Sequence, residues 1–423
     1  MLTKIIIEKL FNTFDYTIEL KPEGITILTG PNGYGKTTVL KILDSLAKLD
    51  SQFFIQLPFE RISLEFSDAK PIILTKKEGK IHINSEQQKI NEQQYRRDRN
   101  RILHRIELHD TPLRRLDEER WIDLRSKEVF TEDELFQKTL LKDKLFQEIL
   151  PDMQGFLAKY PSLRHPNIPK IYFIREQRLL SSTPERNRFK NTIEVYATDL
   201  ISKIKDTLAT SSKITQELDS SFPRRLFEQK TSISENEFNE RFDKVKEVQK
   251  TLSNYGFSEF TEDNHTAYRE EDARALAVYI EDTEKKLAVF AELLEKLNLF
   301  TEILNERRFT LKQIHVSKDE GFTLSTHDGK PLRLQDLSSG EQQEVVMLYE
   351  LLFRVEPNTL VLIDEPELSL HVVWQQEFLN DLEKIVAEQE IQVIIATHSP
   401  QIINERWDLV VDLWDLHHAK PTE

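Results

Sequence analysis

A glycine-rich segment near the start of the chain has the residue types and spacing of a phosphate-binding loop. Its pattern is glycine, four residues, then glycine, lysine and threonine, and its members are Gly30, Pro31, Asn32, Gly33, Tyr34, Gly35, Lys36, Thr37 and Thr38. An apolar strand is predicted just before it, over 25–28, and a helix just after it, from Thr38 to Leu49. In such a loop the backbone N–H groups and the helix N-terminus point at the anion. We therefore expect Lys36 to reach the β- and γ-phosphates of a nucleotide and the Thr37 hydroxyl to ligate Mg²⁺.

Two acidic residues close a second apolar segment. The β-branched run over 359–363 predicts a buried strand, and Asp364 and Glu365 follow at its carboxyl end, where ligands bind in open α/β sheets. Taken alone, two acids after a strand could cap the next helix. Because the same chain carries a phosphate-binding loop, we expect Asp364 to hold Mg²⁺, through water or from its outer shell. Glu365 is expected to polarise the water that attacks the γ-phosphate.

A third segment consists of Ser338, Ser339, Gly340 and Glu341 and comes shortly before the acidic strand. An amphipathic stretch over 344–353 follows, so this segment lies at a predicted helix N-terminus. A serine-rich turn of this kind is by itself most simply a helix cap. The order of the three segments, however, resembles that of the ATP-binding cassette (ABC) ATPases. That resemblance implies that residues 338–341, the signature loop, bind the γ-phosphate of an ATP held by a second protomer.

The resemblance covers residues 1–85, 165–180 and 310–413 and points to the ABC branch that contains RecF, the SMC proteins and the overcoming-lysogenization-defect (OLD) nucleases. It implies further site residues: Gln177 as the glutamine that senses Mg²⁺ and the attacking water, residues 367–371 as the loop that crosses the dimer interface, and His398 as the switch histidine that contacts the γ-phosphate. The arginine neighbours of Gln177 also allow a surface salt-bridge segment. Taken alone, His398 could be a capping or core histidine. Ser339 occupies a position where transporters usually carry glycine. This difference favours a resemblance to the OLD and SMC proteins over one to the transporters.

Composition sets the limits of this interpretation. The 423 residues are 39% hydrophobic and 31% charged, enough for one large α/β head and a second, helical region. The chain contains no cysteine, which excludes disulfides and thiolate chemistry. A signal peptide and an apolar run of membrane-spanning length are not found in the sequence, so we expect a cytoplasmic protein with no membrane partner.

The net charge of −15 argues against broad binding to polyanions, because neutralising phosphates requires clustered lysines and arginines. One local basic patch stands out, and its members are Arg96, Arg97, Arg99, Arg101, Arg105, Arg114 and Arg115. Acidic neighbours at 117–119 favour a solvated, salt-bridged helix. Binding of nucleic acid or of an acidic partner is the alternative.

The fold class predicted is α/β, an ABC-type ATPase head with a mixed sheet, flanking helices, an antiparallel β meander over 59–84 and a helical insertion. The predicted domain limits are 1–85 for the N-terminal lobe of the head, 86–165 for a mostly helical insertion, 166–187 for the part of the head with Gln177, 188–308 for a helical arm and 309–423 for the C-terminal lobe. Phe14 and Tyr16, in the first hairpin, are candidates for contacting adenine.

The predicted arm has two apolar seams with alternating three- and four-residue steps. One contains Phe238, Phe242, Val245 and Leu252, and the other contains Ile280, Leu287, Phe290, Leu294, Leu297 and Leu304. We expect the two seams to pair as antiparallel helices, within a bundle rather than as a long coiled coil. Pro223 is expected to break the preceding helix.

The resemblance implies that two heads form a homodimer, possibly a higher oligomer, around two ATP molecules, and that loss of the γ-phosphate weakens or reorients it. The stretch after His398 is too short for a nuclease domain, so a separate effector is expected. In this respect the chain resembles the stand-alone ATPases of anti-phage systems, namely the PARIS ATPase AriA, paired with a Toprim-like effector, and the Septu ATPase PtuA, paired with an HNH nuclease. The expected function is a sensor and scaffold triggered by a phage protein or nucleic acid. The alternatives are a RecF- or SMC-like clamp for DNA repair and, third, a transporter subunit.

Overall fold

Our description rests on a computed structural model and covers residues 1–48, 50–77, 80–83, 97, 100–101, 103–104, 113–115, 120–123, 129–131, 169–174, 180–182, 189–258, 268–309, 311–368, 370 and 372–418. The strands are β1 Leu2–Leu10, β2 Phe14–Glu19, β3 Ile25–Thr29, β4 Arg61–Phe66, β5 Ile72–Lys77, β6 Lys80–Ile83, β7 Leu113–Arg115, β8 Arg120–Asp123, β9 Val129–Thr131, β10 Lys170–Ile174, β11 Leu180–Ser182, β12 Phe189–Asn191, β13 Lys312–Ser317, β14 Gly321–Thr326, β15 Pro331–Leu332, β16 Thr359–Asp364, β17 Gln392–Ala396 and β18 Val410–Asp412.

The helices are α1 Lys36–Lys48, α2 Ser51–Gln56, α3 Thr192–Glu228, α4 Glu235–Asn254, α5 Ala273–Ala288, α6 Ala291–Glu302, α7 Ser339–Tyr349, α8 Val372–Gln389, α9 Pro400–Ile403 and α10 Leu413–His418. Two π-helical turns, Ile303–Arg308 and Glu350–Arg354, continue α6 and α7. The chain divides into two compact units. Unit 1 comprises Met1–Gln177, Ser182–Arg188 and Val355–Glu423, and unit 2 comprises Arg178–Ser181 and Phe189–Arg354. Among the described helices, none combines the length and the apolar character needed to cross a membrane.

A parallel sheet lies at the centre of unit 1. Its strand order is β10-β16-β17-β3-β18, and each neighbouring pair is parallel. Strands β3 and β17 are mostly aliphatic and are buried along their whole length, as expected for strands covered on both faces. Parallel strands place their carboxyl ends at one edge, so the ends of β3, β16, β17 and β18 lie side by side.

A second, antiparallel sheet in unit 1 has the order β2-β1-β4-β5-β6. It contains the predicted meander, which is confirmed. One hydrophobic core joins side chains of this sheet, of α1 and of the parallel sheet, including Ile5, Leu43 and Leu362. Helix α1 is therefore packed between two sheets, which fixes the direction in which its N-terminus points. The predicted fold class, an α/β ATPase head with an additional helical region, is confirmed by this architecture.

The prediction of a mostly helical insertion over 86–165 stays a prediction, because few of these residues lie in the described part of the chain. Described residues in this range include a three-stranded antiparallel sheet formed by β7, β8 and β9. Leu113 and Trp121 are fully buried there, so these short β segments have a core of their own. Of the basic patch, Arg114 and Arg115 lie on β7, Arg97 and Arg101 on helical residues, and the other members fall outside the described residues.

Unit 2 contains the helical arm, in which two helices pack on α5. Helix α3 runs antiparallel to α5, since Asp219 pairs with Lys286 at 2.7 Å and Arg225 pairs with Asp282. Helix α4 runs parallel to α5 and α6. Arg241 bonds Glu284 at 2.6 Å, and Tyr255, just beyond α4, bonds Asn298 at 2.8 Å. The predicted packing within a bundle agrees with this arrangement.

The prediction that the two apolar seams pair in antiparallel fashion is wrong, because α4 and α5 are parallel. Their seams do meet, in a cluster that includes Phe238, Phe242 and Ile280. An apolar seam determines which face of a helix is buried, but it does not encode the direction of the partner helix.

Pro223 does not break α3, which continues to Glu228, so that prediction is also wrong. A proline cannot donate to the preceding turn, but side chains serve carbonyl groups there. The Ser221 hydroxyl donates to the Glu217 carbonyl at 2.9 Å, and the Arg225 guanidinium donates to the Leu218 carbonyl at 2.7 Å. These bonds reinforce the turn next to the Asp219 carbonyl, which is the acceptor that Pro223 leaves without a helical N–H donor.

The remainder of unit 2 is the antiparallel sheet β13-β14-β15 and helix α7. Helix α7 begins at Ser339, earlier than the amphipathic stretch predicted from 344. Residues 309–354, which the sequence grouped with the C-terminal lobe, belong to unit 2 in the structure. The predicted domain limits otherwise stay predictions.

Candidate nucleotide-binding site

The phosphate-binding loop joins β3 to α1 in the predicted way. Gly30, Gly33 and Gly35 all have positive φ angles. A Cβ atom at Gly35 would lie 3.1 Å from the Leu10 side chain and 3.4 Å from Phe11, so a larger residue would have to displace the first hairpin. The loop thus needs glycine here both for its backbone conformation and for space.

Lys36, at the start of α1, is 6% exposed and folds back onto the loop. Its ammonium group donates to the Gly30 carbonyl at 2.8 Å and to the Pro31 carbonyl at 3.4 Å. The Nδ1 atom of His398 lies 3.4 Å from the same nitrogen. Two predicted site residues from opposite ends of the sequence therefore meet at this edge of the sheet.

The electrostatic surroundings of Lys36 are dominated by acids. Burial lowers the pKa of Lys36 below its ordinary value, while the carboxylates of Glu365, Glu367, Asp364 and Asp412 oppose that shift. One ammonium group therefore faces four carboxylates. Such an edge repels a free polyphosphate, and an added cation would remove that repulsion.

Asp364 and Glu365 follow β16 with different surroundings. The Thr37 hydroxyl donates to Asp364 Oδ1 at 3.0 Å, which brings together the two residues predicted to hold Mg²⁺. Glu365 has a φ of 44° and its N–H donates to the Ala396 carbonyl at 2.9 Å. Its carboxylate oxygen Oε1 lies 3.9 Å from His398 Nε2. A positive φ is unfavourable for glutamate and is typical of functional sites.

Glu367 organises the loop that carries His398, a role that the sequence did not reveal. Its Oε1 accepts hydrogen bonds from the Thr397 hydroxyl at 2.7 Å, the His398 N–H at 2.7 Å and the Ser399 N–H at 3.2 Å. Its Oε2 is buried without a hydrogen-bond partner among the described residues. The prediction that 367–371 crosses a dimer interface stays a prediction, and residues 369 and 371 of that loop lie outside the described residues.

Asp412 is a second residue that the sequence analysis did not assign to the site. Its Oδ2 accepts from the Thr29 hydroxyl at 2.7 Å, and its Oδ1 accepts from the Trp414 N–H at 2.7 Å. It therefore anchors the residue just before the phosphate-binding loop. The signal was available, because Asp412 ends a short apolar strand of the same parallel sheet, as Asp364 does.

Tyr16 supports the loop rather than facing a ligand. It is 1% exposed, and its hydroxyl donates to the Tyr34 carbonyl at 2.8 Å. Phe14 packs against the rings of Tyr34 and His417, with centroid distances of 5.0 and 4.9 Å. Burial thus argues against a contact between Tyr16 and adenine, and Phe14 contributes to an aromatic cluster beside the loop.

The signature loop lies in unit 2, at the start of α7. Ser338 is the N-cap, and it forms a capping box with Glu341. The Ser338 N–H and hydroxyl both donate to Glu341 Oε2 at 2.8 Å. The predicted helix cap is therefore present in the structure. A cap at this position is compatible with a second role in binding phosphate. Gln177 lies outside the described residues, so its assignment stays a prediction.

A family model described as "AAA domain, putative AbiEii toxin, Type IV TA system" matches residues 25–404, which include the phosphate-binding loop, the signature loop, Asp364, Glu365 and His398. The chain belongs to this AAA family. It therefore contains an AAA-family ATPase domain. The curated relatives that match a part of this ATPase include two proteins from Escherichia coli and its phage lambda. The Retron Ec83 probable ATPase of Escherichia coli is 31% identical over 145 residues, covering 29% of this chain and 26% of the relative.

Protein ea59 of Escherichia phage lambda is 32% identical to the ATPase over 114 residues, covering 27% of this chain and 21% of the relative. The chain thus spans about a quarter of the length of each curated relative that it matches. The finer resemblance to the PARIS and Septu ATPases stays a prediction.

Solved structures similar to the ATPase include SMC heads. The Smc head domain of Pyrococcus furiosus, with an extended coiled coil and bound to the C-terminal domain of ScpA, is 14% identical, with 97% of this chain and 92% of that chain covered and a TM-score of 0.38. The SMC head domain from Thermotoga maritima is 11% identical, with coverages of 95% and 90% and a TM-score of 0.34. Scores this low do not establish a shared arrangement, and the fold class follows from the sheet topology.

The residues at the sheet edge of the ATPase fit Mg²⁺. The Thr37 hydroxyl and the Asp364 carboxylate supply two hard oxygen donors. Among the described residues, there is no group of three or more histidine, cysteine, aspartate or glutamate side chains that could hold a metal by itself. This composition suits an ion that keeps waters and takes its other ligands from nucleotide phosphates.

Proposed function

We propose that this ATPase is the ATP-gated sensor and scaffold of a bacterial anti-phage defence system and that it acts in the cytoplasm. In this proposal two protomers clamp ATP between them and thereby control a separate nuclease or toxin effector. The observation that carries the proposal is the meeting of Lys36, Thr37, Asp364, Glu365 and His398 at one sheet edge. The retron relative supplies the defence context.

Each of these residues has a proposed role in hydrolysis. Lys36 binds the β- and γ-phosphates together with the loop N–H groups, because it is buried and already points into the loop. Thr37 and Asp364 would hold Mg²⁺, which supplies positive charge against the developing charge on the phosphates. Glu365 orients the attacking water and accepts its proton. His398 contacts the γ-phosphate, and Gln177 senses the attacking water.

Two backbone features support this role of Glu365. The left-handed conformation at φ 44° turns the chain directly after β16, and the bond from its N–H to the Ala396 carbonyl holds that turn. Hydrogen bonds to Glu367 fix the backbone of His398 across from it. A general base must be held within hydrogen-bond reach of the water that it activates. These backbone anchors provide that preorganisation without help from the ligand.

The second half of the proposed site comes from another protomer. Ser338, Ser339 and Gly340 stand at the N-terminus of α7, where backbone N–H groups and the helix dipole favour an anion. ATP would join the two protomers through its γ-phosphate, and ADP could not make that contact. Hydrolysis would then loosen the dimer, so ATP binding and turnover set the assembly state.

Side-chain bonds connect α7 to the root of the helical arm, which supports a scaffold that transmits this state. The Asn191 amide donates to Gln342 Oε1 at 2.7 Å, and the Gln342 amide donates to the Leu337 carbonyl, just before the signature loop, at 2.8 Å. Tyr349 donates to Asp199 at 2.7 Å. A shift of the signature loop would therefore be transmitted to α3. The arm is our candidate for the surface that meets the effector.

The test is phage plating on cells that carry the gene with its immediate neighbours. We expect protection by the wild type and by Lys41→Ala, an exposed lysine on the same helix as Lys36. Protection should be lost with Lys36→Ala and with Glu365→Gln. Affinity capture in ATP and in ADP should recover a neighbouring gene product.

Two results count against the proposal. The first is recovery of no neighbouring product in either nucleotide state. The second is unchanged plating over a broad phage panel together with sensitivity to DNA damage when the gene is deleted. That second result favours a RecF- or SMC-like DNA clamp instead.

A further inference from the structure

Lys312 contacts both carboxylate oxygens of Glu341 in the signature loop. It is the first residue of β13, and its ammonium group lies 2.8 Å from Glu341 Oε1 and 2.7 Å from Oε2. Both side chains are largely buried, at 26% and 16% exposure. Since the N–H and hydroxyl of Ser338 donate to the same carboxylate, four hydrogen bonds converge on Glu341. Its conformation therefore determines where Ser338 stands.

The charge of Glu341 creates a problem for the proposed role of this loop. Burial raises the pKa of Glu341, but the hydrogen bonds from Lys312 and Ser338 outweigh that effect and keep its pKa below the usual value. The carboxylate is thus ionised at neutral pH. An uncompensated negative charge next to Ser338 would repel a γ-phosphate that approaches the same helix N-terminus. Lys312 compensates this charge at close range.

We propose that Lys312 is a positioning residue for the ATPase reaction of the neighbouring protomer. It holds Glu341 in the capping box, and it cancels the carboxylate charge so that the N-terminus of α7 can receive a triphosphate. This inference rests on the proposed function, because it assumes that the signature loop meets ATP bound by a second protomer. Lys312 lies outside the three motifs and was not singled out by the sequence.

The first assay measures ATP·Mg²⁺-dependent dimerisation by sedimentation, with every variant made on the Glu365→Gln background. The second assay measures steady-state ATP hydrolysis by the same variants without the Glu365→Gln change. The variants are Lys312→Met, Lys312→Arg, the double variant Lys312→Met/Glu341→Gln, and Lys330→Met as a control. Lys330 is an exposed lysine in the turn between β14 and β15. Thermal unfolding without nucleotide reports whether each variant is folded.

We expect Lys312→Met to weaken the ATP-dependent dimer by about tenfold or more, because it leaves a buried carboxylate without its partner. Lys312→Arg should restore dimerisation, since it keeps the charge. The double variant should also recover most of the dimerisation, because the glutamine carries no charge to compensate. Lys330→Met should behave as the parent protein does.

Recovery in the double variant is the result that a purely structural lysine would not give. If Lys312→Met dimerises as the parent does, Lys312 has no positioning role. If the single and double variants are equally impaired and both melt early, Lys312 serves folding only, which also overturns the inference. A parent protein that stays monomeric in ATP contradicts the proposed function, and the role of Lys312 with it. Failure of the proposed function can be distinguished from failure of the Lys312 inference, because it is measured on the parent protein without any Lys312 variant.

Discussion

The phosphate-binding loop of unit 1 and the signature loop of unit 2 both place hydroxyl groups and a lysine at a helix N-terminus, but their charges are arranged differently. At the first loop the ammonium of Lys36 is buried, donates to the Gly30 and Pro31 carbonyls and lies near four carboxylates. At the second loop Lys312 is paired with Glu341 alone. The first edge is therefore strongly acidic until a cation joins it, whereas the second is neutral within itself.

This difference indicates a division of work. An acidic edge with two oxygen donors suits a nucleotide that arrives with Mg²⁺, so unit 1 has the chemistry for binding and hydrolysis. A helix N-terminus whose nearby side-chain charges cancel offers backbone N–H groups and the positive end of the helix dipole. It suits a loop that contacts phosphate only when the other parts of the site are already in place. The comparison predicts large effects on turnover in unit 1 and smaller or indirect effects in unit 2.

The largest effect should come from Glu365→Gln. If Glu365 accepts the proton of the attacking water, turnover should fall by about 10²–10⁴-fold, the usual contribution of a general base. ATP binding should remain, because the amide keeps the shape of the side chain. Phosphate release measures the turnover, and binding of a fluorescent ATP analogue measures whether the variant still binds ATP. Glu388→Gln, an exposed glutamate on α8, is the control, and wild-type turnover in Glu365→Gln would contradict the acid–base role.

Lys36→Met should abolish ATP binding and yet leave the nucleotide-free protein at least as stable as the wild type. Burial lowers the pKa of Lys36, so the buried positive charge reduces the free energy of unfolding at neutral pH. This reduction disappears as the pH rises through the lowered pKa of the folded state towards the unfolded value of 10.5, because the folded protein then loses the proton first. Thermal unfolding at several alkaline pH values should therefore show the wild type gaining stability relative to Lys36→Met. Lys41→Met should show no such trend.

Glu367→Ala tests whether positioning of His398 matters as much as its presence. The change leaves three donors without their acceptor, and the loop with His398 should move. We expect turnover to fall by about 10²-fold, the loss that a small misplacement of a catalytic group can cause. Glu367→Gln retains an acceptor oxygen and should recover part of the activity. Equal activity in both variants and the wild type would mean that the loop is held by other contacts.

The smallest effect on the nucleotide site should come from a change in the arm. Asp282 is 5% exposed and pairs with Arg225. Breaking a buried ion pair by removing one partner costs about 3–5 kcal/mol, so Asp282→Ala should clearly destabilise unit 2. ATP binding at Lys36 should not change, because Asp282 belongs to the other unit. Urea unfolding and nucleotide titration of the same sample test this independence, and a parallel loss of both would contradict it.

The sequence predicted which side chains of unit 1 meet at one sheet edge, because its signals are local. The glycine pattern, the lysine and the acids at strand ends each report their own environment, and parallel strands bring them to one edge. It did not reveal that Glu367 holds the loop of His398 or that Asp412 anchors Thr29, because those contacts join residues far apart in the chain. It also gave the wrong direction for α4 relative to α5, since an apolar seam has no direction.

A mixing experiment tests most directly whether the two loops form one site across two protomers. Lys36→Met and Ser338→Arg protomers, each inactive alone, are combined and assayed for ATP hydrolysis. A mixed dimer has one site in which an intact Lys36 meets an intact Ser338, so random pairing should restore about a quarter of wild-type activity. No recovery on mixing, together with normal hydrolysis by Ser338→Arg alone, would show that unit 1 acts without the signature loop and contradict the account.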